Sequence, residues 1–358
     1  MTSLFEPVHF PFGTSSANAF LLAPLTNQQS HDDGTLSDDE YRWLTMRAEG
    51  GFGAVMTCAS HVQKGGQGFQ GQLGCFSDDH LDGLTRLASG LHDHGALALV
   101  QLHHAGRRAP ADLIGTQPVA PGDDPSVGAR ALTTDEVERL IADFVAAAVR
   151  CERAGFDGVE IHGAHDYVLC EFLNPELNQR RDRFGGSVEN RGRIFHEIIA
   201  GIRSATRATF NLSVRLSPEM FGMVTSEVIA LYDDLVASNT LDFVDLSLWN
   251  AFKEPNDPAF AGTTLGELFG SRPRGRTKLA LAGKIYSGED ARRIIDMGAD
   301  MPAIGRAAIT NHDFPRLVER DPDAAMRTLP VPRATLSAEG LSETFLAYMS
   351  NWKGFVGD

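Results

Sequence analysis

The chain has 358 residues, a formal net charge of -15, and 42% apolar and 22% charged residues. That length buries a sizeable core, as one large barrel or two ordinary domains, and the acidic balance argues against a nucleic-acid partner held through phosphates. No apolar run approaches membrane-spanning length and the first residues lack a basic stretch followed by an apolar core, so the expectation is a cytoplasmic protein with no membrane partner and no signal peptide.

In chain order, 19–23 is a short apolar run ending at Pro24, a first strand. Ser37, with Glu40 three later, opens a helix at capping-box spacing, and that helix ends at Gly50-Gly51. Residues 54–57 read as a second strand, 79–92 as a helix and 96–101 as a third strand, followed by a Gly/Pro-rich excursion over 106–131. Thr133 or Thr134 starts a helix whose Val137, Leu140, Ile141, Phe144, Val145 and Ala148 recur at helical spacing. Strand 159–161, helix 188–206, strand 212–216, helix 225–237 and strand 243–246 follow. An irregular stretch over 249–276 precedes strand 279–282, helix 289–297, strand 301–304, a helix from Asn311 and a last helix over 338–349.

Eight short strands, apolar on both faces and alternating with helices, argue for a parallel sheet covered by helices. Eight such units fit a closed (β/α)8 barrel, an α/β fold of TIM-barrel type, better than an open sheet. The reading is a single domain over 1–358 with a helical tail from about 334. No Gly-x-Gly-x-x-Gly follows the first strand, which removes the main support for a dinucleotide-binding sheet. The four cysteines, at 58, 75, 151 and 170, have no CxxC spacing, so free thiols are expected rather than an iron–sulfur or zinc site.

The most chemically loaded stretch is 158–167, where His162, His165 and Tyr167 follow a short buried strand. A lone histidine at a strand end is more often structural, but two with a tyrosine supply charge stabilisation beside a proton donor, at the end of the strand where barrels keep their chemistry. The polar, Gly-rich run from Asn174 to Arg191 reads as a long structured loop. Other strand ends deliver Pro24-Leu25-Thr26, Cys58-Ala59, Gln101 to Arg107, Arg215, Ser247, Gly283-Lys284 and Gly305-Arg306. Glycines after the last two strands suit a phosphate held by backbone N–H groups, although turns need glycine anyway. Arg215 inside an apolar strand needs a partner, either an anion or electron-rich ring, or a buried carboxylate.

These residues resemble the old yellow enzymes, FMN-dependent ene-reductases of the NADH:flavin oxidoreductase family. The resemblance runs from about 19 to 315. It rests on His162-Gly163-Ala164-His165-Asp166-Tyr167 with Phe172-Leu173-Asn174-Pro175, Asn178, Arg180, Asp182, Phe184-Gly185-Gly186-Ser187 and Glu189-Asn190-Arg191. Gln101 to Arg107, Ala23 to Thr26, and Gly305-Arg306 with Asn311, Asp313 and Pro315 add three further signatures.

The resemblance implies non-covalent FMN at the barrel mouth and NADPH or NADH as hydride donor. Thr26 would bond the flavin O4 edge, Gln101 the pyrimidine edge, and Arg215 would face N1 and O2. Pro24, Leu25 and Ala59 would line the ring, and Gly283, Lys284, Gly305 and Arg306 would hold the phosphate. An activated alkene would take hydride from flavin N5, with His162 and His165 on its carbonyl oxygen and Tyr167 protonating the α-carbon.

The chain departs from that family at Asp166 and Glu171, where Gly and Gln are usual, at Lys284, and at Met301-Pro302 in the last strand. Asp166 is expected to raise a neighbouring histidine's pKa. Trp352 and Phe355 are read as packing residues, and a homo-oligomer is left open. Competing readings are a family member acting on a nitro compound or amine, a metal-dependent hydrolase using the histidines, a Schiff-base aldolase on Lys284, and a barrel that binds FMN without turnover. No metal is expected.

Overall fold

The computed structural model describes residues 3–358. Eight parallel strands close into a barrel: β1 (Leu21–Leu22), β2 (Ala54–His61), β3 (Leu97–His103), β4 (Gly158–Gly163), β5 (Asn211–Leu216), β6 (Phe243–Ser247), β7 (Lys278–Ala282) and β8 (Met301–Ile304). The expected (β/α)8 fold is the observed one. β1 is shorter than its apolar run because only Leu21 and Leu22 find partners on both sides, whereas β2 extends to His61 through a bulge between Met56 and Ala59.

The main helices are α1 (Asp38–Glu49), α2 (Leu81–His92), α3 (Thr134–Arg153), α4 (Val188–Ala205), α5 (Thr225–Ala237), α6 (Leu265–Gly270), α7 (Gly288–Asp296) and α8 (Phe314–Arg320). Thr133 and Glu136 form a full capping box on α3. On α1 only half of one forms. Ser37 accepts the Glu40 N–H, but the Glu40 carboxylate turns inward to Asn27, Ser30 and Cys58. The irregular stretch over 249–276 contains α6, and a six-residue helix, Val168–Leu173, follows Tyr167. The tail is two helices, Arg333–Ala338 and Glu343–Ser350, split at Gly340, whose φ of 91° ends the first. All four cysteines are free and buried.

The barrel interior is layered. Phe10, Leu97, Leu99, Phe243 and Met301 fill the N-terminal end, against a hairpin pairing Val8–His9 with Ser15–Ser16. Above them, every second residue of β3 to β6 is polar and buried: Gln101 and His103, Glu160 and His162, Ser213 and Arg215, then Asp245. Across the barrel the same levels of β1, β7 and β8 carry alanines: Ala23, Ala280, Ala282 and Ala303. One wall of the mouth is polar and the other is small.

Three βα units share a device that the sequence reading did not register. A left-handed residue ends the helix (Gly155, Asn239, Gly298), a buried apolar residue follows (Phe156, Leu241, Ala299), and an aspartate stands just before the strand. Asp157, Asp242 and Asp300 each accept the backbone N–H of a residue on the preceding strand, from Ala98, Leu212 and Leu279 at 2.8, 2.9 and 2.9 Å. These carboxylates pin the N-terminal ends of β4, β6 and β8 to their neighbours.

Candidate active site

The C-terminal end of β4 brings the three singled-out side chains together. His162 ends the strand's inward face and is 3% exposed, and the chain then turns through Ala164. His165 and Asp166 are both left-handed, at φ 63° and 61°, a conformation that costs a non-glycine residue about 1–2 kcal/mol. Tyr167 returns to extended backbone as the N-cap of Val168–Leu173. Its ring centroid lies 5.2 Å from that of His162 and 6.5 Å from that of His165. His162 Nε2 and His165 Nδ1 are 3.4 Å apart, and His165 Nε2 is 2.7 Å from Ser247 Oγ on β6.

A third ring belongs to this group. His103 on β3 packs edge-on against Tyr167 at 4.3 Å, and neither of its nitrogens has a partner. In the sequence it stands at a strand end and joins His162 and His165 only in the competing hydrolase reading, as an alternative to His104 for a metal ligand. Its signal was period-two placement, since Gln101 and His103 share one face of β3. The same signal pointed to Glu160 and Asp245, which were also passed over.

All three histidines are held below the ordinary imidazole range. Burial is the main cause, followed by neighbouring rings and the Arg215 and Arg108 cations; His165 is lowered to about 3. Burial pushes the Tyr167 phenol up. At neutral pH the cluster is therefore three neutral imidazoles around a protonated phenol. The expected effect of Asp166 is not what the structure shows. Its carboxylate turns away to Arg107 Nη2, 2.8 Å from each oxygen, and the histidines are lowered rather than raised. Glu171 is buried, accepts the Arg107 backbone N–H at 2.9 Å, and is pushed up by burial.

Beneath the histidines lies a buried charged layer. Gln101 donates to Glu160 at 2.8 Å, and burial, with Asp245 nearby, raises the Glu160 carboxyl to about 8. Arg215 Nε is 3.3 Å from Asp245, close enough to pair electrostatically but not aligned to hydrogen-bond. Nε and Nη1 of Arg215, both Asp245 oxygens and the Ser213 hydroxyl have no hydrogen-bond partner. The buried carboxylate expected as one possible partner of Arg215 is Asp245, and the guanidinium retains donors without a partner.

The other singled-out residues ring the mouth. Pro24, Leu25 and Thr26 are half-buried after β1, and Ala59 and Gln101 are buried on β2 and β3. Gly305 faces open space, since a side chain there would meet only Leu25 Cδ2, at 3.8 Å. Arg306 donates to Tyr286 Oη at 2.6 Å, and its guanidinium lies 5.2 Å from the centre of the Trp352 ring. Phe355 is buried, whereas Trp352 is 39% exposed over Arg306. Gly283 is required by packing: a side chain would strike the backbone nitrogens of Asn250 and Ala251 at 3.0 and 2.8 Å. Lys284 is exposed and left-handed. A cavity of about 160 Å³ opens beside His165, lined by Phe221, Ser247, Trp249 and Lys253 among others. Among the described residues no three His, Cys, Asp or Glu side chains are placed to share a metal ion.

The family model of the NADH:flavin oxidoreductase / NADH oxidase family matches residues 3–323. The chain belongs to this family. It is accordingly an oxidoreductase of the flavin- and NAD(P)H-dependent class. It is 34% identical over 337 residues to the probable NADH-dependent flavin oxidoreductase YqiG of Bacillus subtilis, covering 91% of this chain and 90% of that one. It is 32% identical to the NADH:fumarate oxidoreductase of Klebsiella pneumoniae, matching 87% of this chain but spanning only 35% of that longer protein. Among solved structures it resembles the old yellow enzyme homologue from Zymomonas mobilis, with a TM-score of 0.79 and 29% identity over 96% of this chain and 99% of that one. No helix among the described residues is long and apolar enough to cross a membrane.

The mouth fits the FMN that this family implies. Unpartnered Arg215 donors and Gln101 offer an edge for a polar ring, the alanines opposite leave room for a flat one, and Gly305 leaves backbone open beside Leu25.

Proposed function

We propose that this family member reduces the C=C bond of activated alkenes, such as α,β-unsaturated carbonyl compounds, using NADPH or NADH. The observation that carries the reading is the Tyr167 phenol packed against His103 and His162 at the barrel mouth, with ring centroids 4.3 and 5.2 Å apart. The fumarate named for the Klebsiella relative is itself an alkene conjugated to carboxyl groups.

Gln101, Arg215 and Thr26 would hold the polar edge of FMN, Pro24, Leu25 and Ala59 its ring, and Gly283, Lys284, Gly305 and Arg306 its phosphate. Bound there, FMN supplies a hydride carrier that the reduced nicotinamide charges and the alkene discharges.

The chain's own part lies at the substrate's carbonyl and α-carbon. His162 Nε2 and His165 Nδ1 are close enough for one carbonyl oxygen to sit within hydrogen-bond reach of both. For both to donate, His165 Nε2 must be the unprotonated nitrogen, and the Ser247 hydroxyl 2.7 Å away can donate to it and fix that tautomer. As hydride adds to the β-carbon, negative charge collects on the carbonyl oxygen, where these fixed donors stabilise it. Tyr167 gives its proton to the α-carbon and is reprotonated from solvent. The cavity between Phe221 and Trp249 accommodates the rest of the substrate.

The test is spectroscopic. The purified protein should show a flavin spectrum that anaerobic NADPH bleaches and a cyclic enone restores. Tyr167→Phe should slow only the restoring step, by roughly 10²–10⁴-fold for loss of a general acid. A flavin reoxidised by no activated alkene, but reoxidised by a nitro compound or bleached by an amine in place of NADPH, would replace the substrate class.

A further inference from the structure

Of the three residues between β4 and Tyr167, the last two, His165 and Asp166, are left-handed, and neither is glycine. Their own sequence gives one weak reason for this, since aspartate tolerates the region better than most residues. The stronger restraint comes from the loop after β3. Arg107 Nη2 lies 2.8 Å from each oxygen of Asp166, and Arg107 Nη1 is anchored by Asp124 at 2.6 Å. Arg107 also ties its backbone N–H to Glu171, in the helix that Tyr167 caps. The next residue, Arg108, donates to the His165 carbonyl at 2.8 Å and covers the Tyr167 ring at 5.1 Å. Gly106 makes the approach possible, because a side chain there would run into the Glu171 carboxylate.

The geometry points to Arg107 and Asp166 as a clamp that positions Tyr167 for proton delivery. The two side chains grip the turn from outside the cluster and act through Tyr167, so they are positioning residues. The inference rests on the proton-donor role proposed for Tyr167. It explains why a strained turn carries a carboxylate that faces away from the histidines: the ion pair holds a backbone conformation that glycine would adopt freely but would not fix. His165 has a second hold through Ser247, so the clamp matters most for the tyrosine.

Asp166→Gly separates the two roles. Glycine relieves the left-handed strain, so the apoprotein should melt no lower than wild type, and bleaching by NADPH should stay within about twofold. Enone-driven reoxidation should slow by roughly ten- to a hundredfold, the scale expected when a catalytic group drifts by about 1 Å. Asp166→Asn, which keeps an acceptor for Arg107, should recover part of that loss. In a Tyr167→Phe background, Asp166→Gly should cost nothing further. Wild-type reoxidation in Asp166→Gly where Tyr167→Phe is slow would overturn the clamp alone, as would an equal loss in both backgrounds. Unimpaired reoxidation in Tyr167→Phe would overturn the donor assignment, and the clamp with it.

Discussion

The two ends of the barrel treat buried charge in opposite ways. At the N-terminal end, Asp242 is fully buried, yet it accepts from Arg203 at 2.8 Å, from the Leu212 N–H at 2.9 Å and from the Phe12 N–H at 3.3 Å. Asp300 is served likewise by Arg274, Lys278 and the Leu279 N–H. At the C-terminal end, Arg215, Asp245, Glu160, His103 and His162 all carry buried polar atoms without a partner. Each such atom costs about 1–3 kcal/mol. A chain that satisfies its carboxylates so fully at one end leaves groups open at the other where a ligand can complete them, and in barrels that end is the chemical one. The N-terminal end holds the strands together, and the mouth bears a destabilising cost in exchange for function.

The comparison breaks if a substitution at either end has the other end's effect. The largest expected change is Arg203→Met, which strands the buried Asp242 carboxylate. It should cost about 3–5 kcal/mol in unfolding free energy, read by urea denaturation, with turnover per folded molecule retained. At the mouth, His162→Ala should leave the melting temperature nearly unchanged while slowing enone-driven reoxidation by roughly 10²–10³-fold, or about 2.7–4 kcal/mol of barrier. Arg215→Met sharpens the contrast. Its cation is only partly paired and makes no hydrogen bond to Asp245, so the apoprotein should lose only about 1–2 kcal/mol while FMN binds more weakly in a fluorescence titration. If Arg215→Met destabilised the apoprotein as much as Arg203→Met, the two ends would not differ in the way described.

How much of this was legible in the sequence follows from where each signal sits. The barrel was readable because each strand is a short buried run between amphipathic helices, a local pattern. His162, His165 and Tyr167 were readable because they are neighbours in the chain. His103, Glu160 and Asp245 join them only through strand register, with Gln101 opposite Glu160 and Asp245 opposite Arg215. The clue to them was a polar residue at every second strand position, acted on only for Arg215. The aspartates before β4, β6 and β8 were missed because each is ordinary by itself and informative only as a set of three. The helix Val168–Leu173 lies too close to a polar run for periodicity to develop, and α6 was missed in a stretch read as irregular even though Thr264 and Glu267 stand at capping-box spacing. The direction of the Asp166 carboxylate depends on Arg107, some sixty residues earlier, and no local pattern carries it.

The smallest expected effect is an absence of change with pH, and it tests whether the mouth is as dry as its packing indicates. His162 and His165 are pushed down by burial, with Arg215 adding to the effect on both, and Tyr167 is pushed up by burial. A lowered imidazole pKa moves charging to lower pH, so both rings stay neutral well below the ordinary value of about 6.5. A raised phenol pKa moves proton loss to higher pH, so Tyr167 stays protonated beyond about pH 10. The rate constant for reoxidation by enone, measured after photoreduction to avoid acid-labile NADPH, should therefore vary less than about twofold from roughly pH 5 to pH 9. An acid limb near pH 6.5 would mean that the histidines titrate as in water, and that the mouth is solvated when the alkene reacts. An alkaline limb below about pH 10 that vanished in Tyr167→Phe would mean that the phenol loses its proton early, so the Arg108 cation would outweigh burial at the site.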